Sequence, residues 1–250
     1  MDKLKRRSFI KNHLLKYGSA SINDLAKLLG VSTMTIRRDI DYFKKCGLAS
    51  VNYGGVYIRK QEAVVRSEID TVFDGFMKEI EPNSTLYTDS PEFAAFLACN
   101  YTSRKFTIFT CSLKIMNILS HCENIRLSSV PGVFGKECYC FCGATAINYL
   151  QKYLFDYSIV YATAMDESYG FLCDNISVGE IKSVAAQNSK KVFVIMNKES
   201  VEMQTIIKFA RFCDVKVLGT TVEIDDTRKN ILQNNNIKLI SKHKEPVNQI

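Results

Sequence analysis

The chain has 250 residues, 46% of them hydrophobic, which is enough for one large core and a smaller satellite domain. It has no run of 18 apolar residues, so we expect no transmembrane helix, and its N-terminal segment is too rich in charge for a signal peptide. Nine cysteines in a chain of this length do not fit a small disulfide-stapled secreted domain, so we expect a cytoplasmic protein with reduced thiols.

The net charge of +7 is concentrated at the N-terminus. Residues 1–60 contain 13 Lys and Arg against 4 Asp and Glu, whereas residues 61–250 contain 20 against 22. A basic head on a near-neutral body favours binding to a polyanion such as DNA. Because a solvated lysine-rich face has the same composition, the residue pattern inside the head must decide between the two.

The pattern in residues 1–60 predicts three helices followed by a β-hairpin. The first helix ends at Gly18, the second is capped by Ser21 and the third by Ser32. Small Ala26, four residues before the turn at Gly30, permits the close crossing that a helix-turn-helix requires. After the third helix, LASVNYGGVYI predicts a hairpin like the wing of a winged helix.

The third helix has one apolar stripe, formed by Ile36, Ile40 and Phe43 at positions i, i+4 and i+7. A helical wheel places three charged residues and Met34 on the opposite face, as expected of a helix that reads base edges and phosphates. These residues are Met34, Arg38, Asp41 and Lys45, flanked by Thr35 and Arg37.

The segment VSTMTIRRDI, followed by GLASVNYGGVYI, resembles the helix-turn-helix and wing of the DeoR-type family of bacterial transcriptional repressors. The matching residues are Val31, Ser32, Thr35, Ile36, Arg37, Arg38, Asp39, Ile40, Gly54 and Gly55; the match is poorer after Gly47, where Leu48 is followed by Ala49. The resemblance implies DNA contacts from Ser32, Thr35, Arg37 and Arg38. With their exposed neighbours, our candidate DNA-binding residues are Ser32, Thr33, Met34, Thr35, Arg37, Arg38 and Lys45.

Beyond a connecting helix predicted over residues 61–83, strand and helix patterns alternate, which predicts a doubly wound, largely parallel α/β sheet with ligands at the carboxyl ends of its strands. Strands are predicted over 84–89, 106–111, 125–130, 138–143, 156–162, 191–196, 214–220 and 237–241. Helices are predicted near 92–100, 112–120, 144–153, 178–189 and 225–235. We divide the chain into a winged helix-turn-helix domain over 1–60, a connecting segment over 61–77 and an α/β sensor domain over 78–250.

The alternating region also resembles the DeoR-type effector domain, which shares its fold with ribose-5-phosphate isomerase and coenzyme A transferases. Matches to family motifs occur at Thr110, Ser112 and Leu113, at Gly132, at Gly143 and Ala146, at Asp166 and Gly170, and at Lys182. The resemblance implies a small-molecule effector site. Its candidate residues are Asp89, Ser90, Thr110, Ser112, Gly132, Asp166, Lys182 and Lys198.

Two departures from the family pattern weaken a phosphate site. The family's D-x-G-T-T turn reads Asp89-Ser90-Pro91-Glu92-Phe93, which removes an N–H donor and a hydroxyl and adds a negative charge. The family's D-S-S-K segment reads Asn197-Lys198-Glu199-Ser200, so an amide replaces a carboxylate. We therefore expect Asp89 to face the ligand while the phosphate grip is lost or moved.

Other candidate chemistry is weak. Cys138, Cys140 and Cys142 alternate along one strand, which indicates core packing rather than the turn-based spacing of a zinc site, and the three histidines are far apart in sequence. We expect no metal, cofactor or catalytic residues. The prediction is a homo-oligomeric, sequence-specific repressor of carbohydrate-metabolism genes that responds to a sugar-phosphate-like metabolite. The alternatives are a regulator whose sensor serves mainly for oligomerisation, and a sugar-phosphate isomerase-like enzyme.

Overall fold

A computed structural model describes residues 3–17, 19–45, 49–52, 55–58, 68–197, 205 and 207–241 of the chain. Several positions named from the sequence lie outside these ranges: the predicted helix end at Gly18, the motif residues Gly47 and Leu48, the turn residue Gly54, the candidate effector residue Lys198, and its neighbours Glu199 and Ser200. The same holds for residues 61–67, the first part of the predicted connecting helix.

The N-terminal head contains three helices and a small antiparallel sheet. Its elements are α1 (Lys3–Tyr17), β1 (Ser19–Ala20), α2 (Ile22–Leu29), α3 (Thr33–Lys45), β2 (Ala49–Asn52) and β3 (Gly55–Ile58), with strand order β1-β3-β2. The Ser21 side chain caps α2 by accepting the Asp24 N–H, and Gly30 ends α2 with φ 63°, a conformation that glycine adopts without strain. The predicted helix-turn-helix and wing are therefore confirmed.

The body begins with α4 (Glu68–Glu79). Its elements in chain order are β4 (Thr85–Thr88), α5 (Pro91–Asn100), β5 (Phe106–Thr110), α6 (Leu113–Leu119), β6 (Ile125–Ser129), β7 (Val133–Gly135), β8 (Cys140–Cys142), α7 (Ala144–Leu150), β9 (Phe155–Tyr161), β10 (Ala164–Asp166), β11 (Gly170–Cys173), α8 (Ile176–Gln187), β12 (Ser189–Met196), β13 (Ile207–Ala210), β14 (Val217–Thr220), α9 (Asp226–Asn234) and β15 (Lys238–Ser241). None of the helices that the structure describes combines the length and the apolar character needed to span a bilayer.

Seven strands form one parallel sheet in the order β15-β14-β12-β9-β4-β5-β6. From the interior strand β4, the chain winds outward through β5 and β6, returns to β9 on the other side of β4, and continues outward through β12, β14 and β15. The fold is therefore doubly wound, as predicted, and its winding direction reverses between β4 and β9. Ligands of open α/β sheets bind at this switch point, outside the carboxyl ends of the strands.

Each face of the sheet carries its own core. Successive strand residues point to opposite faces, so Phe193 belongs to one core and Val194 to the other. Helices α4, α5 and α6 cover the Phe193 face, whereas α7, α8 and α9 cover the Val194 face. Because both faces are buried, the strands are apolar over most of their length.

Helix α4 is part of the body core rather than a free connection. It packs so closely on β14 that a Cβ at Gly219 would lie 2.3 Å from Val72 Cγ1 and 2.5 Å from Phe76 Cζ. Only a residue without a side chain fits at this crossing.

The sequence-based prediction lacked β7, which pairs with β8, and the small antiparallel sheet β10-β11-β13. All four residues of β11 are buried, so no polar–apolar alternation marks it. The strand predicted over 138–143 is shorter than expected, because residues 136–139 form a turn in which Tyr139 adopts φ 52°.

Candidate DNA-binding face and effector site

The outward face of α3 carries the candidate DNA contacts. Met34 is 59% exposed, and Thr33, Arg37 and Arg38 are also exposed, whereas Thr35 is half-buried. Ser32 is exposed as well and precedes the helix, where its hydroxyl accepts the Thr35 N–H at 3.2 Å. Lys45 is the last residue of α3, and its side chain lies outside the described part of the chain. The predicted division of α3 into an inner stripe and an outer face agrees with these exposures; the DNA contacts themselves remain a prediction.

Asp39 has a different role from its neighbours in the RRD sequence. Its carboxylate is buried between α1 and α3, where Arg6 Nε donates to Oδ2 at 2.6 Å and Arg7 Nε donates to Oδ1 at 2.9 Å. These charge-assisted hydrogen bonds join the two helices. The sequence contained a signal for this contact, because Asp39 lies beside the apolar stripe and a buried carboxylate needs a cationic partner.

Asp89 and Lys182, two of the candidate effector residues, meet at the switch point. Lys182 Nζ lies 3.2 Å from Asp89 Oδ2, and both side chains are 5% exposed. Tyr161, the last residue of β9, joins the pair: its N–H donates to Asp89 Oδ1 at 2.9 Å, and its carbonyl accepts from Lys182 Nζ. The carboxyl ends of β4 and β9 are thus bridged by a buried ion pair between Asp89, the residue after β4, and Lys182 of α8.

Three neighbouring candidates, Ser90, Thr110 and Ser112, are buried and hydrogen-bonded within their own turns. Thr110 Oγ1 accepts the Ser112 N–H at 3.1 Å, and Ser112 Oγ caps α6 by accepting the Ile115 N–H. Ser90 Oγ caps α5 through the Phe93 N–H at 3.2 Å. These side chains shape the ends of β4 and β5 beside the ion pair.

Two further candidates lie in other turns. Asp166 Oδ1 accepts the N–H groups of Ser168 and Tyr169 and so closes the β10–β11 hairpin. Gly132 precedes β7, where a Cβ would lie 2.6 Å from the Cys142 carbonyl oxygen, so this backbone is in close contact with β8. Neither residue is hydrogen-bonded to the ion pair in the contacts described.

A cluster of thiols packs behind the switch point. The Cys138 and Cys142 sulfurs are 3.8 Å apart, and the Tyr87 hydroxyl lies 3.4 Å from Cys111 Sγ. A hydrogen bond with Cys111 and burial raise the pKa of Cys140, and burial raises the pKa of Cys142 to about 12, so both thiols are protonated at neutral pH. Within the described ranges, no group of three or more His, Cys, Asp or Glu side chains is arranged to hold a metal ion.

Comparison with known proteins identifies both parts of the chain. Residues 6–62 match the DeoR-like helix-turn-helix domain, and residues 72–221, more than half of the chain, match the DeoR C terminal sensor domain. This chain belongs to the DeoR family. It is a DNA-binding transcriptional regulator, as its head predicted.

Several DeoR-family relatives match along most of their length. The HTH-type transcriptional regulator IolR of Bacillus subtilis is 25% identical over 90% of this chain and 93% of its own. A putative aga operon transcriptional repressor of Escherichia coli O157:H7 is 25% identical over 81% and 80%, respectively. The glycerol-3-phosphate regulon repressor of Escherichia coli K12 is 20% identical over 96% and 99%.

Proposed function

We propose that this DeoR-family protein is a repressor of carbohydrate-metabolism genes and that a phosphorylated sugar, bound at the switch point of the sheet, changes its affinity for operator DNA. The observation that carries the proposal is the buried Asp89–Lys182 pair, which occupies the position where doubly wound sheets bind their ligands. The names of the relatives, which include an aga operon repressor and a glycerol-3-phosphate regulon repressor, support the carbohydrate assignment.

Asp89 Oδ2 is the proposed acceptor for a ligand hydroxyl. Lys182 is its ion-pair partner, yet within the described part of the chain no donor is aligned with this oxygen for a hydrogen bond. The atom exposes less than 1 Å² to solvent, so a ligand must displace the neighbouring turns to reach it. Because the ligand must displace these turns to bind, binding would change the conformation of the body, to which the head is attached.

On the DNA side, we propose that α3 enters the major groove and that Ser32, Thr33, Met34, Thr35, Arg37, Arg38 and Lys45 contact the operator. An operator with two-fold symmetry requires two heads, so we propose that the protein is a homo-oligomer. Its molecular mass in solution can be measured by light scattering during gel filtration. The proposed units are the head over 1–60, the connection over 61–77 and the sensor over 78–250. The packing of α4 on β14 favours an earlier start for the sensor, at α4.

A second candidate function is a sensor that serves mainly for assembly. Pro91 is the first residue of α5 and offers no N–H, and the neighbouring Glu92 carboxylate accepts from Ser90 Oγ at 3.2 Å. An extra negative charge at the start of α5 disfavours a phosphate there. The missing N–H and the added charge favour a site that no longer binds a phosphate group at the start of α5.

A thermal-shift screen distinguishes a sensor that binds a phosphorylated sugar from one that serves mainly for assembly. The probes are glucose 6-phosphate, fructose 6-phosphate and glycerol 3-phosphate, each beside its unphosphorylated counterpart and inorganic phosphate. A ligand at 100 times its dissociation constant stabilises by about 2.7 kcal/mol, which raises the Tm of a chain of this size by roughly 5–10 °C.

We expect a shift with a phosphorylated sugar, its loss in Asp89→Asn, and its retention in Asp156→Asn, whose carboxylate pairs with Lys190 and is not a candidate effector residue. A shift with the unphosphorylated sugar alone would indicate a neutral ligand. No shift with any probe would favour the assembly role. Turnover of the same sugar phosphates would instead support the isomerase-like alternative. Release of a promoter duplex by the active ligand, measured by electrophoretic mobility shift, tests repression.

A further inference from the structure

The head rests on the body through the far ends of α5 and α6, the two helices that begin at the proposed effector site. Helix α5 begins at its cap Ser90, next to Asp89, and α6 begins at its cap Ser112. The hydroxyl of Tyr42 donates to the carbonyl of Ala98, in the last turn of α5, at 3.3 Å. The same hydroxyl lies 3.9 Å from the sulfur of Cys122, just beyond α6.

Tyr42 belongs to the recognition helix α3, one turn after Arg38. Its side chain is held firmly: the Arg7 guanidinium lies 3.7 Å from the ring centroid, and the Phe43 ring meets it edge-on at 5.6 Å. Arg7 also binds Asp39, so the tyrosine, α1 and α3 form one packed unit. A shift at Ala98 or Cys122 is therefore transmitted to the whole recognition helix.

Two side-chain to side-chain contacts flank the tyrosine. Lys3 forms an ion pair with Glu123, and Lys11 Nζ donates to Asn100 Oδ1 at 2.7 Å. Both are exposed and therefore weak, so the buried hydroxyl is the specific part of this interface.

The docked head leaves its DNA-binding face open. Met34, Arg37 and Arg38 are exposed while Tyr42 is buried against the body. Docking thus does not block DNA; it sets the direction in which the recognition helix points relative to the sheet.

We propose that Tyr42 is a positioning residue, through which ligand-induced movement of α5 and α6 changes the orientation of the recognition helix. This inference rests on the proposed function, because it takes the start of these helices as the ligand site. It adds the route between the two sites, since a ligand that favours one placement of α5 and α6 then favours one orientation of the head.

The docking is tested first, by a cross-link that needs no ligand. A water-soluble carbodiimide joins a lysine amine to a carboxylate only when the two are in contact. We expect a Lys3–Glu123 amide in the wild-type protein, identified by peptide mass spectrometry and absent in Glu123→Gln. Absence of this amide from the wild type while other surface pairs cross-link would overturn the docked arrangement.

The coupling is tested by hydrogen exchange with and without DNA. The probe is a duplex of about 40 base pairs at about 50 mM salt, where phosphate contacts alone hold the head. We expect DNA to slow amide exchange in the first turns of α5 and α6, because binding at either site must affect the other equally. In Tyr42→Phe, which keeps the ring and removes the hydroxyl, this response is lost, and the last turn of α5 exchanges about fivefold faster without DNA.

Tyr157→Phe is the matched control. It removes a similar bond, from a tyrosine hydroxyl to the Glu79 carbonyl at 3.0 Å, but within the body. We expect it to keep the DNA response. An unchanged response in Tyr42→Phe, or no response in the wild type, would overturn the coupling. A DNA response without any sugar-phosphate binding would leave the coupling intact and refute only the proposed ligand.

Discussion

Replacing Asp89 and Lys182 singly and together measures how the buried pair holds the switch point. At 3.2 Å and an effective dielectric constant of about 20, the two charges attract by ~5 kcal/mol. Removing both ions from water costs several kcal/mol each, so the intact pair contributes little net stability. Each single change nevertheless leaves one buried group without its partner. We expect Lys182→Met and Asp89→Asn each to lower the free energy of unfolding by about 3–5 kcal/mol.

The double variant measures the coupling between the two residues, because it leaves no uncompensated charge. We expect its loss to be about 2 kcal/mol smaller than the sum of the single losses. The assay is urea unfolding followed by circular dichroism, with linear extrapolation to water. The control is the exposed pair of Lys190 and Asp156, 2.8 Å apart, for which the same cycle should give a coupling below about 1 kcal/mol.

Additive losses at Asp89 and Lys182, within about 0.5 kcal/mol, would refute the reasoning, because independent residues add to that accuracy. The double variant also reports on function. If it folds, a sugar phosphate that stabilises the wild type should no longer raise its Tm, because both proposed ligand-binding groups are gone.

Three further substitutions test other parts of the molecule. Arg38→Ala should weaken operator binding by about 1–3 kcal/mol in fluorescence anisotropy and relax specificity at one base pair; equal weakening on every sequence would mean a phosphate contact instead. Gly219→Ala should lower the free energy of unfolding by about 1–3 kcal/mol in urea, because its methyl group would overlap α4; an unchanged midpoint would contradict that packing. The hydrogen bond from Lys190, and then that from the Thr85 N–H, lower the pKa of Asp156 in the folded protein. The ionised carboxylate therefore stabilises the fold at neutral pH, and this stabilisation is lost as the pH falls through the lowered pKa. Asp156→Asn should therefore be less stable than the wild type at pH 7 by about 0.5–1 kcal/mol, with the gap closing below about pH 4 in thermal unfolding; a gap independent of pH would exclude the linkage.

The parts of the fold that follow from local patterns could be predicted. The apolar stripe of α3 and the capping hydroxyls of Ser21 and Ser32 depend on residues within one or two turns. The strands of the main sheet are short apolar runs between helices, which is typical of a parallel sheet. The small sheet could not be predicted, because pairing such as Leu172 with Lys208 joins distant segments and no alternation marks β11.

The sequence predicted which residues belong to the candidate site, but it could not predict which of them are in contact. Asp89 follows a strand and precedes a helix, so its position at a ligand-binding edge could be inferred. Its partner Lys182 comes from α8, and the two meet only because β4 and β9 are adjacent across the reversal of the sheet. Tyr42 lay next to the predicted inner stripe, but its body contact depends on how the two domains pack.

The four basic side chains of α1 whose partners are described above bear on how this protein responds to ionic strength. Lys3 is held by Glu123, Arg6 and Arg7 by Asp39, and Lys11 by Asn100. Each phosphate that a protein neutralises releases counterions and steepens the fall of log K against log salt by about 0.9. Because these cations are engaged within the protein, the slope should be shallower than the charge of the head implies and should be set mainly by α3. Salt also screens the exposed ion pair between Lys3 and Glu123, so the ions that loosen the head from DNA loosen it from the body as well.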